Sequence, residues 1–250
     1  MKLASLKGGR DGRLVVVSND LAWFTEAHHI APTMQVALDQ WAWCEPALRG
    51  LAESLEHGSV PKERFHEHQA ASPLPRAYQR LAAADGEIRQ ATSDSFLPPR
   101  DPTPATGLGL EGGVAVLTGD VPRGAGREQS LSAVRLVMLY GEAGAACAFS
   151  PVAVTPDSLP GWNSGKLSGA LEVELDGKPL AEGDAGKGAD FGDLIAQAAS
   201  GRSLSVGSIL GAGPMARAPG LKAGDTVRIE MRDRKRHTVF GAIEQEVAAA

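Results

Sequence analysis

The chain has 250 residues, 43% hydrophobic and 22% charged, with a formal net charge of −5. It is long enough to bury a sizeable core, and its mild acidity gives no electrostatic case for nucleic acid or an anionic membrane. No apolar run reaches membrane-spanning length, and Cys44 and Cys147 lie far apart without metal-type spacing, which fits a reducing cytoplasm.

In chain order, Lys2–Leu6 and residues 13–18 flank a glycine-rich turn at 8–12 and predict a β-hairpin, with the β-branched run 14–17 as a buried strand. From Met34 the apolar spacing becomes helical, placing Met34, Ala37, Leu38 and Trp41 on one face with Thr33 as cap. Pro46 is expected to open a second helix bearing Leu48, Leu51, Ala52 and Leu55, ended by Gly58. These pieces predict a small α+β module over residues 1–72, followed by a larger domain over 73–250. Residues 72–78, punctuated by Pro73 and Pro75, read as an extended connector. Residues 79–108 show no period, so 82–95 is expected to be loop with one helical turn and 97–106 irregular.

The stretch 109–120 organises the second half of the chain. It predicts a buried strand over 114–117, entered through Gly112 and Gly113, which let backbone or ligand come close. Glu111 stands at the strand's mouth, a common place for a small-molecule site. A helical turn at Arg127–Ser132 precedes a second strand at 134–140, broken by 141–144, and residues 149–154 resume an extended pattern. Residues 171–175 alternate cleanly before an Asp176-Gly177 hairpin turn, and Asp190 caps a helix bearing Phe191, Leu194, Ile195 and Ala198. A short strand at 208–210 is expected before a glycine turn at 211–214, and 226–231 is expected to pair with 238–243.

Other motifs carry less chemistry. His66 and His68 would share a face if extended, but no third ligand is patterned beside them. His28 and His29 read as surface, and Trp23, Trp41 and Trp43 as core or dimer contacts. Cys147 has no histidine near it, and the basic cluster 232–237 reads as a solvated turn.

The order of these pieces, and above all Leu-Lys-Ala-Gly-Asp-Thr-Val-Arg-Ile-Glu-Met at 221–231 followed by Phe-Gly-Ala-Ile-Glu-Gln-Glu-Val at 240–247, resembles the fumarylacetoacetate hydrolase family. The resemblance implies an α+β, mainly β fold, with a mixed β-roll core behind a small N-terminal α+β module, assembled as a homodimer. It implies hydrolysis of a carbon–carbon bond in a diketo acid. A Mg²⁺ or Ca²⁺ held by about four carboxylates would polarise the substrate, and a His–Glu pair would activate water.

Residue by residue, little of that apparatus is matched. Glu111 matches the first acid of the family's Glu-x-Glu motif, but Gly113 stands at the second. Glu142 falls where the family has an aspartate, the early Asp and His have no match in 79–90, and the segment bringing a Gln and a Lys is missing between Glu142 and Phe149. Gly211-Ala212-Gly213-Pro214 lacks the hydroxyls of the family's Gly-Ser-Gly-Thr. Glu111 and Glu142 are left as candidate metal ligands, a poor cage by themselves. The expected function is an enzyme acting on a dicarbonyl (diketo or polyketide-like) acid in a retained cavity. Repurposed for cyclisation, lyase or isomerase chemistry, it would have Glu111, Glu142, Tyr78 or Arg76 moving protons. Two alternatives are a conventional metal-dependent hydrolase and a non-catalytic member that binds a small molecule or a partner.

Overall fold

The computed structural model describes residues 1–84, 86–233 and 235–249. Strands β1 (Lys2–Leu6), β2 (Arg13–Val17) and β3 (Trp23–Glu26) lead into helices α1 (Met34–Asp39) and α2 (Trp41–Glu56) and the short β4 (Glu63–Arg64). The middle of the chain forms β5 (Arg80–Ala84), β6 (Glu87–Ala91), β7 (Leu110–Thr118), α3 (Arg127–Ser132), β8 (Val134–Ala143), β9 (Ala146–Phe149) and β10 (Ala153–Val154). The last third forms β11 (Trp162–Asn163), β12 (Lys166–Leu167), β13 (Ala170–Leu175), β14 (Lys178–Asp184), α4 (Phe191–Ala198), β15 (Ile209–Ala218), β16 (Thr226–Arg232) and β17 (Ile243–Glu246). The fold is the sheet-dominated α+β class expected. No helix among the described residues is long and apolar enough to cross a membrane.

A large sheet in the order β4-β3-β2-β1-β10-β8-β7-β15-β5-β6, with β9 added on β8, runs from the N-terminal strands into the middle of the molecule. The join is made by β10, which pairs with β1 on one side and β8 on the other. A second sheet, β14-β13-β16-β17, packs on one face. The opposite face carries α1 and α2, so β7 and β8 are buried on both sides and read as near-continuous apolar runs. Along β8, Leu136, Met138 and Tyr140 face the helices, while Val137 and Leu139 face the second sheet.

Local chemistry explains the elements that were legible. The Thr33 hydroxyl accepts from Val36 N at 3.3 Å and starts α1. Asp176 and Gly177 both have positive φ, as a tight hairpin turn between β13 and β14 demands.

Five expectations are corrected. Pro46 does not open the second helix. It lies inside α2, which starts at Trp41 directly after Gln40 ends α1, so both helices share one junction. Residues 82–84 and 87–91 are strand rather than loop, while 92–95 lie outside any strand: β5 pairs with β6 antiparallel and adds in parallel to β15. Residues 141–143 continue β8, paired to β7 and β9, and only Gly144 at φ +59° ends it; Gly141 stays bare where Ile229 comes from the second sheet. A Cβ there would lie 2.7 Å from Ile229 Cδ1. Nor do 211–214 end the strand begun at 208–210, since β15 passes through them by irregular pairing with β7. Finally, β16 pairs mainly with 243–246, and the expected partner 238–243 meets it only at its two ends, Thr238 opposite Arg232 and Ile243 opposite Ile229, because Gly241 turns the chain at φ +73° before β17 begins.

Candidate active site

Register brings the chemistry together. Glu111 on β7 lies directly opposite Glu142 on β8, Glu142 opposite Cys147 on β9, and Glu111 opposite Arg217 on β15. Opposed residues project to the same side of a sheet, so these four form one row across four strands, on the helix-bearing face. Two pairs further in, and so on the same face, Gly113 opposes Tyr140, and Tyr140 opposes Phe149. Arg80 shares this face, since it pairs with Ile209, which in turn opposes Leu117.

The two glutamates differ in setting. Glu111 is half-exposed and accepts from Arg217 Nε at 3.0 Å. Glu142 is 22% exposed and takes both arms of the Arg80 guanidinium, Nη1 donating to Oε1 at 2.9 Å and Nη2 to Oε2. Arg80 itself is only 1% exposed. Its guanidinium carbon lies 5.5 Å from the Tyr140 ring centre and 6.0 Å from that of Phe149. Burial works against its charge, but the bonds from Glu142 outweigh burial and hold it above its ordinary value. Burial also raises the Tyr140 phenol, despite the opposing charge of Arg80. The Cys147 thiol is pushed up to about 12 by burial, so it is no nucleophile at neutral pH.

Gly113 shows why the second acid of the Glu-x-Glu motif is gone. A Cβ there would lie 2.7 Å from the Tyr140 hydroxyl, from Tyr140 Cε1 and from the Gly213 carbonyl oxygen. Tyr140 fills that place. The close approach expected at this glycine is therefore made by the protein's own side chain and backbone.

The donor set does not fit the Mg²⁺ or Ca²⁺ that the resemblance implies. A hard cation takes six or more oxygens, several of them carboxylate. Here the two carboxylates are each paired with an arginine, and no group of three His, Cys, Asp or Glu capable of holding a metal occurs among the described residues. The cavities of about 900 and 560 Å³ are lined by other residues, while Glu111 and Glu142 lie on a partly open sheet face.

Tyr78 and Arg76 make no hydrogen bond or ion pair with the glutamates among the described residues. Tyr78 is 69% exposed. Arg76 is committed to Asp11 in the β1–β2 turn, with Nε 2.6 Å from Oδ1 and Nη2 3.0 Å from Oδ2. His66 and His68 stand with ring centres 5.5 Å apart, but Glu67 between them turns to Arg100. The residues that sequence reasoning missed are Arg80, Tyr140 and Arg217. Tyr140 had one visible signal, a lone phenol closing an apolar run. Arg80 had none, because it lay in a segment read as loop.

Comparison with known proteins agrees with this frame. Residues 1–76 match the family described as fumarylacetoacetase N-terminal domain 2, and residues 141–248 match fumarylacetoacetate (FAA) hydrolase C-terminal. No curated protein matches the chain by sequence. Among solved structures, it is similar to maleylpyruvate hydrolase from Sphingobium sp. SYK-6 in complex with manganese (II) ion and pyruvate, at TM-score 0.75 and 20% identity over 99% of each chain. Fumarylacetoacetate hydrolase from psychrophilic Exiguobacterium antarcticum superposes at TM-score 0.75 and 16% identity over 100% of both chains. A probable 2-hydroxyhepta-2,4-diene-1,7-dioate isomerase from Mycobacterium abscessus gives 0.72 and 16% over 99% of this chain and 98% of its own. With both domain families matched in their expected order and the whole fold shared, the chain belongs to the fumarylacetoacetate hydrolase family.

Proposed function

We propose that this protein is an enzyme that moves a proton on a dicarbonyl acid without a resident metal, in a non-hydrolytic step of the isomerase, cyclase or lyase kind. The family and the names of its structural relatives, hydrolases and an isomerase of unsaturated keto acids, support the substrate class. The single observation that carries the chemistry is the Arg80–Glu142 pair, which puts a buried guanidinium on the acid a cation would need. A carbon between two carbonyls is acidic enough for a carboxylate to deprotonate. Half-exposed Glu111 would take that proton while the electron pair moves onto the carbonyl oxygens. Return of the proton to another carbon completes an isomerisation; in a cyclisation the enolate carbon attacks a second carbonyl, whose π pair passes to its oxygen, and Glu111 returns the proton to that alkoxide. Neither step consumes water. The homodimer implied by the resemblance remains part of this proposal, to be checked by light scattering.

The test is turnover of diketo acids, followed by ultraviolet absorbance, with and without chelator. Activity is expected to survive excess EDTA, and Glu111→Gln to lower kcat by about a hundredfold. Loss in EDTA with recovery in Mn²⁺ would return the conventional hydrolase. A second reading, a non-catalytic binding member, is favoured by the same pair, since Glu142 spends both oxygens on Arg80. Tight binding of a dicarbonyl acid without turnover would establish it.

A further inference from the structure

We infer that Lys2 is the reactive amine of a second site, which captures the carbonyl group of a small uncharged aldehyde or ketone as an imine. The site is separate from the paired glutamates and does not depend on their chemistry. Lys2 on β1 lies opposite Val17 on β2 and Val154 on β10. Those valines, with Ala4 two places on, belong to the core beneath the second sheet, whereas Leu3 faces the helices. The Lys2 side chain therefore projects toward the second sheet. There its Nζ donates to the Val239 carbonyl oxygen at 2.8 Å. A cavity of about 530 Å³ opens at this place, walled by Lys2, Asn19, Asp20, Ser158, Asp233 and Val239. That volume lies in the ordinary range for a small-molecule pocket.

A lysine this buried is ordinarily matched by a carboxylate. Lys2 makes no ion pair among the described residues, and its recorded partner is a neutral carbonyl. The two acids of the cavity wall are held by their own turns. Asp20 accepts from the Ser18 hydroxyl and Ala22 N, and Asp233 from Lys235 N and His237 N. Burial lowers the Lys2 amine to about 8, against the attraction of Asp20, Asp233 and Glu56. The Met1 amine and His237 are further titratable groups beside it, and a hollow on the α2 side adds Arg49, Glu53 and Asp157. About one Lys2 amine in ten is then uncharged at pH 7, which makes it a nucleophile. Its lone pair attacks the carbonyl carbon, and the π pair passes to oxygen, which takes up a proton. Protonated once more, that oxygen leaves as water while the nitrogen lone pair closes the C=N bond. One amine and one carbonyl give one imine and one water. The protonated imine keeps its positive charge near Asp20 and Asp233, and the same acids repel an anionic ligand, which selects an uncharged one.

The experiment is reductive trapping on the full chain at pH 6.5 with propionaldehyde. Sodium cyanoborohydride supplies the hydride that turns an imine into a stable propylamine. Peptide mass spectrometry maps the label, with fragment ions separating Lys2 from the Met1 amine. Lys2 is expected to be labelled at least about tenfold faster than any other lysine, and no faster than the others in guanidinium chloride. Its rate should rise with pH to a plateau, with a midpoint near 8. Glyoxylate, an anionic aldehyde, should show no such preference for Lys2. Lys2→Arg keeps the charge without the nucleophile and is expected to abolish the fast labelling with an unchanged circular dichroism spectrum. Should that variant misfold, the comparison of lysines within the wild type decides the matter. Labelling of Lys2 no faster than of the other lysines would overturn the site, as would label on the Met1 amine alone. An equal preference for Lys2 with glyoxylate would overturn the choice of an uncharged ligand.

Discussion

A methyl group at Gly113 would stand 2.7 Å from the Tyr140 hydroxyl and equally near the Gly213 carbonyl oxygen, and the second of these is backbone that cannot swing aside. Gly113→Ala is therefore expected to cost about 1–3 kcal/mol by overpacking, read as a lower urea midpoint at unchanged slope. Cys147 supplies a separate check on this face. Its thiol is 2% exposed and pushed up to about 12, and Cys44 is equally buried. Neither should react with a thiol reagent at pH 8 until denaturant is added, when both should react at once; fast labelling of Cys147 in the native protein would show that this face opens. At this scale Glu111 and Glu142 were legible as acids at a strand mouth. Their arginine partners were not, because an arginine in sequence carries no mark of the carboxylate it will meet.

Helix α4 shows how much an element owes to one side chain. Asp190 Oδ1 accepts from Gly192 N at 2.9 Å and Asp193 N at 3.2 Å, while Oδ2 takes Arg127 Nη2 at 2.7 Å. Asp190→Ala should cost about 1–2 kcal/mol at pH 7 by urea unfolding. Burial alone would raise the Asp190 carboxyl, but Arg127 and the two backbone N–H groups outweigh it and hold the group below its usual range. A carboxyl lowered on folding stabilises at pH values above its unfolded pKa, and this contribution fades as pH falls through the folded value. The gap between wild type and Asp190→Ala should accordingly narrow below about pH 4; a gap that stays constant from pH 7 to pH 3 would contradict the assignment. This cap was readable from sequence because every partner except Arg127 lies within three residues. The hairpin of β5 and β6 was not. Arg80-Leu-Ala-Ala-Ala has no strand alternation, and only its parallel pairing with β15 makes it a strand.

Across the whole molecule, β10 ties β1 to β8, so the N-terminal strands and the strands bearing the glutamates share one continuous sheet. Unfolding is expected as one cooperative transition, seen at the same midpoint by fluorescence and by circular dichroism. A ligand that binds the native state alone raises its melting temperature. Millimolar Mg²⁺ or Mn²⁺ should leave the Tm unmoved, as should EDTA, whereas acetylpyruvate, a diketo acid, should raise it. A metal-dependent rise would return the cation to the site.

The sequence by itself determined whatever depends on near neighbours: the β1–β2 and β13–β14 turns, the Thr33 and Asp190 caps, the apolar runs of β7 and β8, and the family resemblance carried by contiguous motifs. Only the tertiary structure decided the contents of the site. Arg80 meets Glu142 across 62 positions of chain, and Arg217 meets Glu111 across 106. Such encounters are set by strand order and register, in which a shift of one residue would send each side chain to the opposite face. Tyr140 could cover Gly113 only because β7 and β8 pair at that register. The charge balance of the site is a property of the assembled sheet, absent from any stretch of the chain read alone.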